Sequence, residues 1–146
     1  MKRLLISLAL VLPFGVSIAS ADNDKLISKN ELPAQAQNFI NEHFAGAKIS
    51  HAVLDVDFLV SSYEVVLAGG ERLEFSSKGD WEEVDCRRAE VPAALIPAAI
   101  SDYVKKNYPG AKVIRIEREG RGYEIELSND LELSFNKDLR IIDIDD

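Results

Sequence analysis

Apolar positions along this chain follow a helical spacing and then a strand spacing, and this order occurs twice. Apolar side chains recur every three to four residues over 36–44 and again over 100–108, as on one helix face. Gly46 and Gly110 follow these stretches and are expected to end the helices. Further on, "YEVVL" (63–67) and "YEIEL" (123–127) alternate apolar and polar residues, which predicts half-buried strands. With the turns and apolar runs around them, each half is predicted to be one helix followed by four strands.

The two halves also align residue by residue. "LPAQAQNFINEHFAGAKI" (32–49) matches "IPAAISDYVKKNYPGAKV" (96–113) at an offset of 64, and "YEVVLAGGERLEF" (63–75) matches "YEIELSNDLELSF" (123–135) at an offset of 60. The change of offset falls between Asp55 and Ser62, where a hairpin turn is expected to absorb it. The predicted fold is α+β, a tandem repeat of a helix plus a four-stranded antiparallel sheet with the helices on one face. Repeat 1 covers 32–86, a linker covers 87–95, and repeat 2 covers 96–146.

Aromatic residues recur at matching places in the two repeats. Phe39, Tyr63, Tyr103 and Tyr123 are expected to be buried between helix and sheet. Trp81, the single tryptophan, begins the last strand of repeat 1. It either packs where the repeats join or serves as an exposed anchor for a partner, since aromatic residues are enriched at binding hot spots.

The first residues of the chain have the pattern of a secretory signal. Lys2 and Arg3 precede an apolar run of about 15 residues, shorter than the roughly 20 that cross a membrane. Ala19-Ser20-Ala21 supplies small residues for cleavage. The sequence predicts a signal peptide over 1–21, a periplasmic or secreted protein without membrane insertion, and a polar, mobile segment over 22–31.

The chain is acidic, and this narrows its partners. Its formal charge is −8, and removal of Lys2 and Arg3 with the signal takes it to −10. Such a surface repels nucleic acid phosphates and anionic lipid. It suits basic proteins or cations.

The residues that usually carry catalysis have ordinary explanations here. No nucleophile elbow, P-loop or H-E-x-x-H motif is present. His43 aligns with Asn107 and His51 with Arg115, so both positions are expected to be merely polar. Cys86 is the single cysteine and belongs to no C-x-x-C motif. It is expected to be an ordinary, semi-buried residue at a strand end, although the two arginines after it leave a redox role open. The sequence predicts neither an enzyme nor a cofactor.

Charged residues in the strands define a candidate surface. Alternation places six of them on the sheet face away from the helices: Glu64, Arg72, Glu74, Glu124, Glu126 and Glu132. Glutamate is a poor strand former, so this choice suggests a function in binding a basic partner, with solvation of the sheet as the alternative. If the repeats join edge to edge, these side chains form one broad acidic surface.

The first hairpin loop is longer than its counterpart and holds Phe58, Leu59 and Val60 in succession. Exposed apolar loop tips mark interaction sites, whereas buried ones cap an open end of a sheet. Both interpretations remain open for this loop.

The acidic C-terminal stretch raises the question of calcium. Asp143 and Asp145 lie on one strand face with Asp146 just beyond, and carboxylates are the ligands that calcium prefers. The sequence is thus compatible with weak calcium binding. It also fits a solubilising edge strand, with Ile142 and Ile144 pointing inward and the aspartates deterring aggregation.

The tandem L/I-P helix start, the aromatic-x-Gly-Ala-Lys motif and the "YE[VI]" hairpins resemble the PepSY-like family of small exported bacterial proteins. That family is also described as β-lactamase-inhibitor-like, and the resemblance spans about 28–146. It implies a fold like that of the inhibitor, whose tandem units grip an enzyme with their combined sheet. It therefore implies an exported, non-catalytic module that binds or modulates another protein. The alternative is a cation or small-ligand sensor that uses the acidic surface, because fold alone does not fix function.

Overall fold

The computed structural model describes residues 24–146, which form one antiparallel sheet and two α-helices. The signal peptide predicted over 1–21 lies outside the described residues. The elements, in chain order, are β1 (Lys25–Ile27), α1 (Ala34–His43), β2 (Ile49–Val56), β3 (Ser61–Leu67), β4 (Arg72–Ser76), β5 (Trp81–Asp85), α2 (Ala98–Asn107), β6 (Val113–Glu119), β7 (Gly122–Leu127), β8 (Glu132–Phe135) and β9 (Ile141–Asp145). Short 3₁₀ turns precede α1 and α2 at Lys29–Glu31 and Ala93–Leu95. No helix within 24–146 is long and apolar enough to cross a membrane.

The strands lie side by side in chain order, β1 to β9, and every neighbouring pair is antiparallel. The two predicted four-stranded sheets are therefore one sheet of nine strands. They join where β5 pairs with β6, with Val84 opposite Ile116 and Asp85 opposite Arg115. This is the edge-to-edge junction that a continuous surface requires.

The structure differs from the sequence prediction at the N-terminal segment. Residues 22–31 were predicted to be mobile, but Lys25–Ile27 form β1 and pair with β2. Ile27 lies opposite the buried Ala52 and packs against the core. The pairing also covers the edge of β2, whose backbone groups would otherwise lack partners. A strand of three residues is too short to show an alternating pattern in the sequence.

Both helices pack on the same face of the sheet. The Phe39 ring on α1 lies 5.4 Å from Phe75 on β4, and Tyr103 on α2 lies 5.5 Å from Phe135 on β8, both edge to face. We call this face of the sheet the inner face and the opposite one the outer face. Each helix begins one residue after its proline, which occupies the N-cap position. Gly46 and Gly110 follow the helix ends at φ values of 77° and 86°, which glycine adopts without strain.

The inner face holds the hydrophobic core. Phe75 is fully buried, whereas the four aromatic residues predicted to be buried (Phe39, Tyr63, Tyr103 and Tyr123) are only partly buried and pack around the core. Trp81 is buried beside Phe39 and lies under the guanidinium of Arg118, 4.0 Å from the ring centroid. Since Arg118 lies on β6, Trp81 packs at the junction of β5 and β6, which is the first of its two interpretations and not the exposed anchor.

Candidate interaction surface

The outer face carries two rows of charged side chains that cross the strands. Residues directly opposite one another on neighbouring strands have side chains on the same face. The first row crosses β3 to β7 and consists of Glu64, Glu74, Glu83, Glu117 and Glu124. The second row crosses β4 to β9 and consists of Arg72, Asp85, Arg115, Glu126, Glu132 and Asp145. Carboxylates directly opposite one another repel, so this surface depends on its arginines.

Arg115 is the central cation of the outer face. Its Nε lies 2.8 Å from Glu83 Oε1 and its Nη1 lies 3.3 Å from Glu124 Oε1, while Nη2 pairs with Glu117. One guanidinium thus ties β5, β6 and β7 together across the junction. Only 20% of its side chain is exposed, and only 12% of the Glu83 side chain.

Burial and charge act in opposite directions on this cluster. Burial alone lowers the pKa of Arg115, but the hydrogen bond to Glu83 and the surrounding carboxylates raise it above its ordinary value. Arg115 therefore stays charged. The pKa of Glu117 is raised, mainly by burial, which Arg115 offsets only in part, and the charges of Glu83 and Glu124 raise it further. Negative charge thus exceeds positive charge even beside the arginine.

Arg72 pairs with the glutamates of the first half. Its Nε lies 2.9 Å from Glu64 Oε2, and its Nη2 donates to Glu74. Burial works to lower the pKa of Arg72, whereas the hydrogen bond to Glu74 and the charge of Glu64 raise it overall. About 37% of this side chain is exposed, so solvent screens the pair more than it screens Arg115.

The last strands of the sheet have an acidic residue where the first half has this arginine. At the sequence offset of 60, Glu132 occupies the position of Arg72. Burial, followed by the charge of Glu124, raises the pKa of Glu132, with Asp145 and Glu126 contributing further. Glu124, Glu132 and Asp145 border a hollow of about 320 Å³ on the outer face of β7 to β9. The acidic excess is therefore concentrated at this end of the sheet.

Strand β9 differs from the prediction in its apolar residues. The aspartates lie on the outer face as expected, because Asp143 pairs with Ser134 and Asp145 pairs with Glu132. Ile142 and Ile144, however, are 64% and 47% exposed rather than buried. Strand β9 forms the edge of the sheet, so Ile144 is half covered, and Ile142 lies at a register irregularity and lines the hollow.

The structure does not arrange these carboxylates as a metal site. Within residues 24–146, no group of three or more His, Cys, Asp or Glu side chains is placed to hold a metal ion. Weak calcium binding stays a prediction.

The tip of the β2–β3 hairpin is exposed. Phe58, Leu59 and Val60 are 96%, 86% and 66% exposed, so their side chains do not cap the sheet. Val60 is four residues from Glu64, a separation of about 13 Å along an extended strand. The tip is thus at the margin of the acidic surface, and its role in binding a partner stays a prediction.

The remaining candidate residues are dispersed. Cys86 is buried, and burial is the main cause that raises the pKa of its thiol to about 11, which disfavours a reactive thiolate. His43 packs 4.7 Å from the Phe39 ring on α1, and His51 is exposed on β2. The structure therefore does not join them into a site.

Sequence reasoning missed four members of the surface: Glu83, Asp85, Arg115 and Glu117. The alternation that revealed Glu64 and Glu124 is also present in "RIE" (115–117) and "EVD" (83–85). Whether these two segments lie opposite one another, however, depends on the register between β5 and β6, which the sequence pattern does not specify.

Comparison with known proteins assigns the fold to a family. The family model described as "Putative beta-lactamase-inhibitor-like, PepSY-like" matches residues 61–143. No curated protein matches the chain.

Three solved structures are similar over most of the chain. A protein of Bacteroides thetaiotaomicron, described as a "putative calcium-regulated periplasmic protein", is 50% identical with a TM-score of 0.83, over 86% of this chain and 99% of that one. Two proteins of Bacteroides vulgatus, each described as a "putative periplasmic protein", are 45% and 41% identical, with TM-scores of 0.82 and 0.81. They are matched over 86% and 84% of this chain and 99% of their own. The family model matches more than half of the chain, and these relatives are 41% to 50% identical to it. The chain therefore belongs to the PepSY-like family.

Proposed function

We propose that this protein is an exported, non-catalytic module that binds a basic partner protein through the outer face of its sheet. The observation that carries this proposal is the composition of the two outer-face rows. They hold nine carboxylates, five in the first row and four in the second, against two arginines.

Folding alone does not account for that composition. Glutamate is unfavourable in strands, and like charges placed opposite one another destabilise a sheet. Any polar residue would keep the outer face solvated, yet the chain places mostly negative charge there and holds three glutamates on Arg115. A negative surface on a rigid sheet attracts a positive partner over a distance and speeds its association.

Export and an inhibitor-like role are supported by the sequence and the relatives. The segment 1–21 has the pattern of a signal peptide, and the relatives are described as periplasmic. The family description as β-lactamase-inhibitor-like supports a protein as the partner, with modulation of a hydrolase or protease as the outcome.

We also infer that the two halves are copies of one unit. Helices α1 and α2 keep the offset of 64, and β5 and β9 keep the offset of 60. The Phe39–Phe75 and Tyr103–Phe135 contacts join residues at these same offsets. Superposition of 32–86 on 96–146, with the loop difference removed, tests the inference.

A second candidate function is calcium sensing, which one observation favours. A 50% identical relative is described as calcium-regulated. Burial and the charges of neighbouring carboxylates, Glu124 first, raise the pKa of Glu132, and Arg115 offsets this only in part. Isothermal titration of the protein with calcium chloride separates the two candidates. Heat of binding that disappears after Glu132→Gln supports the sensor, and a flat titration eliminates it.

The binding function is tested by capture from a periplasmic extract of the source organism. The bait is the mature protein, and the comparison bait carries Glu126→Lys and Glu132→Lys. The proposal expects a basic protein that is retained by the wild type at low salt and lost from the variant. Equal retention of the same proteins by both baits would contradict it.

A further inference from the structure

Among the strands that the structure describes, β9 lacks a neighbour that its counterpart has. At the offset of 60, Ile141–Asp145 corresponds to Trp81–Asp85, which is β5. Strand β5 lies between β4 and β6, whereas among the described strands β9 pairs with β8 alone. The pairing of β5 with β6 therefore shows which kind of strand this edge accepts.

The backbone of Ile144 faces the open edge. In the first half, Cys86 N–H donates to Ile114 O at 2.9 Å, and residues two apart in an antiparallel strand direct their peptide groups the same way. Val84, opposite Ile116, thus presents its N–H and C=O to β6. The corresponding N–H of Ile144 donates instead to the side chain of its neighbour Asp143, at 3.0 Å. A strand placed beside β9 would replace this local bond.

The side chains of β9 are suited to a neighbour. Val84 is fully buried beside β6, whereas the corresponding Ile144 is 47% exposed. Where β5 has the exposed Glu82, β9 has Ile142, which is 64% exposed. Natural edge strands are usually less apolar than paired strands. Here the edge strand β9 is more apolar at this position than the paired strand β5.

The negative charge of β9 favours a basic strand as its neighbour. Asp143 and Asp145 on the outer face would repel the same strand of a second copy. In the first half, Arg115 of β6 lies opposite Asp85 and pairs with Glu83. Asp145 and Asp143 occupy these two positions in β9.

We propose that β9 accepts an antiparallel strand from the partner protein, in which an arginine or lysine directly precedes a β-branched apolar residue. The apolar residue lies opposite Ile144, and the basic residue lies opposite Asp145 and reaches Asp143. Main-chain hydrogen bonds to β9 supply affinity, and the two side chains supply selectivity. The inference rests on the proposed function in taking a basic protein as the partner.

The probe for this proposal is a blocked synthetic peptide with the sequence of β6, residues 112–119, added to the isotope-labelled protein. We expect slower hydrogen exchange at the Ile144 amide, with no change at Leu26 on the opposite edge. A peptide with Arg115→Glu should bind roughly fivefold more weakly, most clearly at low salt.

Two variants separate backbone pairing from side-chain contact. Ile144→Pro removes the outward N–H at a place where an edge strand tolerates proline, and it should abolish binding. Ile144→Ala keeps the N–H and should retain most of it. The amide spectrum of the remaining residues verifies that each variant is folded.

Three results would overturn the added strand. They are peptide binding without protection of Ile144, equal binding by Ile144→Pro and wild type, and no binding at millimolar peptide. Self-association that Ile144→Pro abolishes would instead identify a second copy as the occupant. A further case is that the variant with Glu126→Lys and Glu132→Lys loses the partner while the peptide does not slow hydrogen exchange at Ile144. That combination would support the acidic surface as the binding site and contradict the added strand.

Discussion

Replacing Arg115 with methionine should destabilise the fold more than any other single change on the outer face. Methionine keeps an unbranched side chain of similar reach and removes the charge. Glu83, Glu117 and Glu124 would then lie together without a cation, and the Glu83 side chain is only 12% exposed. The change therefore converts a satisfied cluster into a set of mutually repelling charges.

The size of the effect follows from burial. Removing one partner of a fully buried ion pair lowers the free energy of unfolding by about 3–5 kcal/mol. Because 20% of the Arg115 side chain is exposed, solvent reduces this to about 2–4 kcal/mol. Arg72, which is 37% exposed and pairs with two glutamates, provides the matched control, and Arg72→Met should cost at most about 1 kcal/mol.

The loss should also depend on pH. The pKa of Glu117 is already raised in the folded protein, and removal of Arg115 raises it further. A carboxylate whose folded pKa lies above its unfolded value lowers stability as pH rises through the interval between the two. The deficit of Arg115→Met is thus complete at pH 7 and shrinks toward pH 4, where Glu117 takes up a proton.

Urea unfolding of the wild type and both variants at pH 7 and pH 4 measures these differences. We expect a large loss for Arg115→Met at pH 7, a smaller one at pH 4, and little change for Arg72→Met at either pH. Equal losses for the two variants, or a loss independent of pH, would refute the assignment of Arg115 as the central cation.

Three further outcomes are expected. Phe75→Ala should lower the free energy of unfolding by about 3–5 kcal/mol, because Phe75 is fully buried, and Phe58→Ala, at a residue 96% exposed, should change it by less than about 0.5 kcal/mol; chemical denaturation giving similar values for both would contradict the core assignment. Glu132→Gln should raise the melting temperature at pH 7 but not at pH 4, since the raised pKa of Glu132, due first to burial, makes its ionisation unfavourable in the folded protein; an equal gain at both pH values would rule this out. Mass spectrometry of the natively produced protein should find an N-terminus within a few residues of Asp22, and full-length protein in the inner membrane would disprove cleavage.

Periodicity in the sequence was sufficient for most of the fold. The spacing around Phe39 and Tyr103 locates both helices, and the change of offset locates the β2–β3 hairpin, where β3 begins at Ser61. Alternation alone predicts that Glu64 and Glu124 lie on the outer face. In the structure, Glu64 lies opposite Glu74 and Glu124 lies opposite Glu117, so both belong to the first row of the outer face.

The remaining features depend on contacts that no local pattern encodes. Strand β1 has three residues, too few for alternation, and is held by its pairing with β2. The cluster around Arg115 requires the register of β5 on β6. The exposure of Ile144 follows from the position of β9 at the edge, because an edge strand and a central strand can share one alternating sequence.

The central claim is that the outer face attracts a basic partner, and the association rate of the captured partner at low salt tests it most directly. The outer-face variant carries Glu126→Lys and Glu132→Lys, and leaves Glu124 in place because it pairs with Arg115. The control carries Glu42→Lys and Asp102→Lys, which change the net charge equally but lie exposed on α1 and α2. The account predicts an association roughly tenfold slower for the outer-face variant, little change for the control, and convergence of all three proteins at high salt. Equal rates for the two variants at low salt would contradict it.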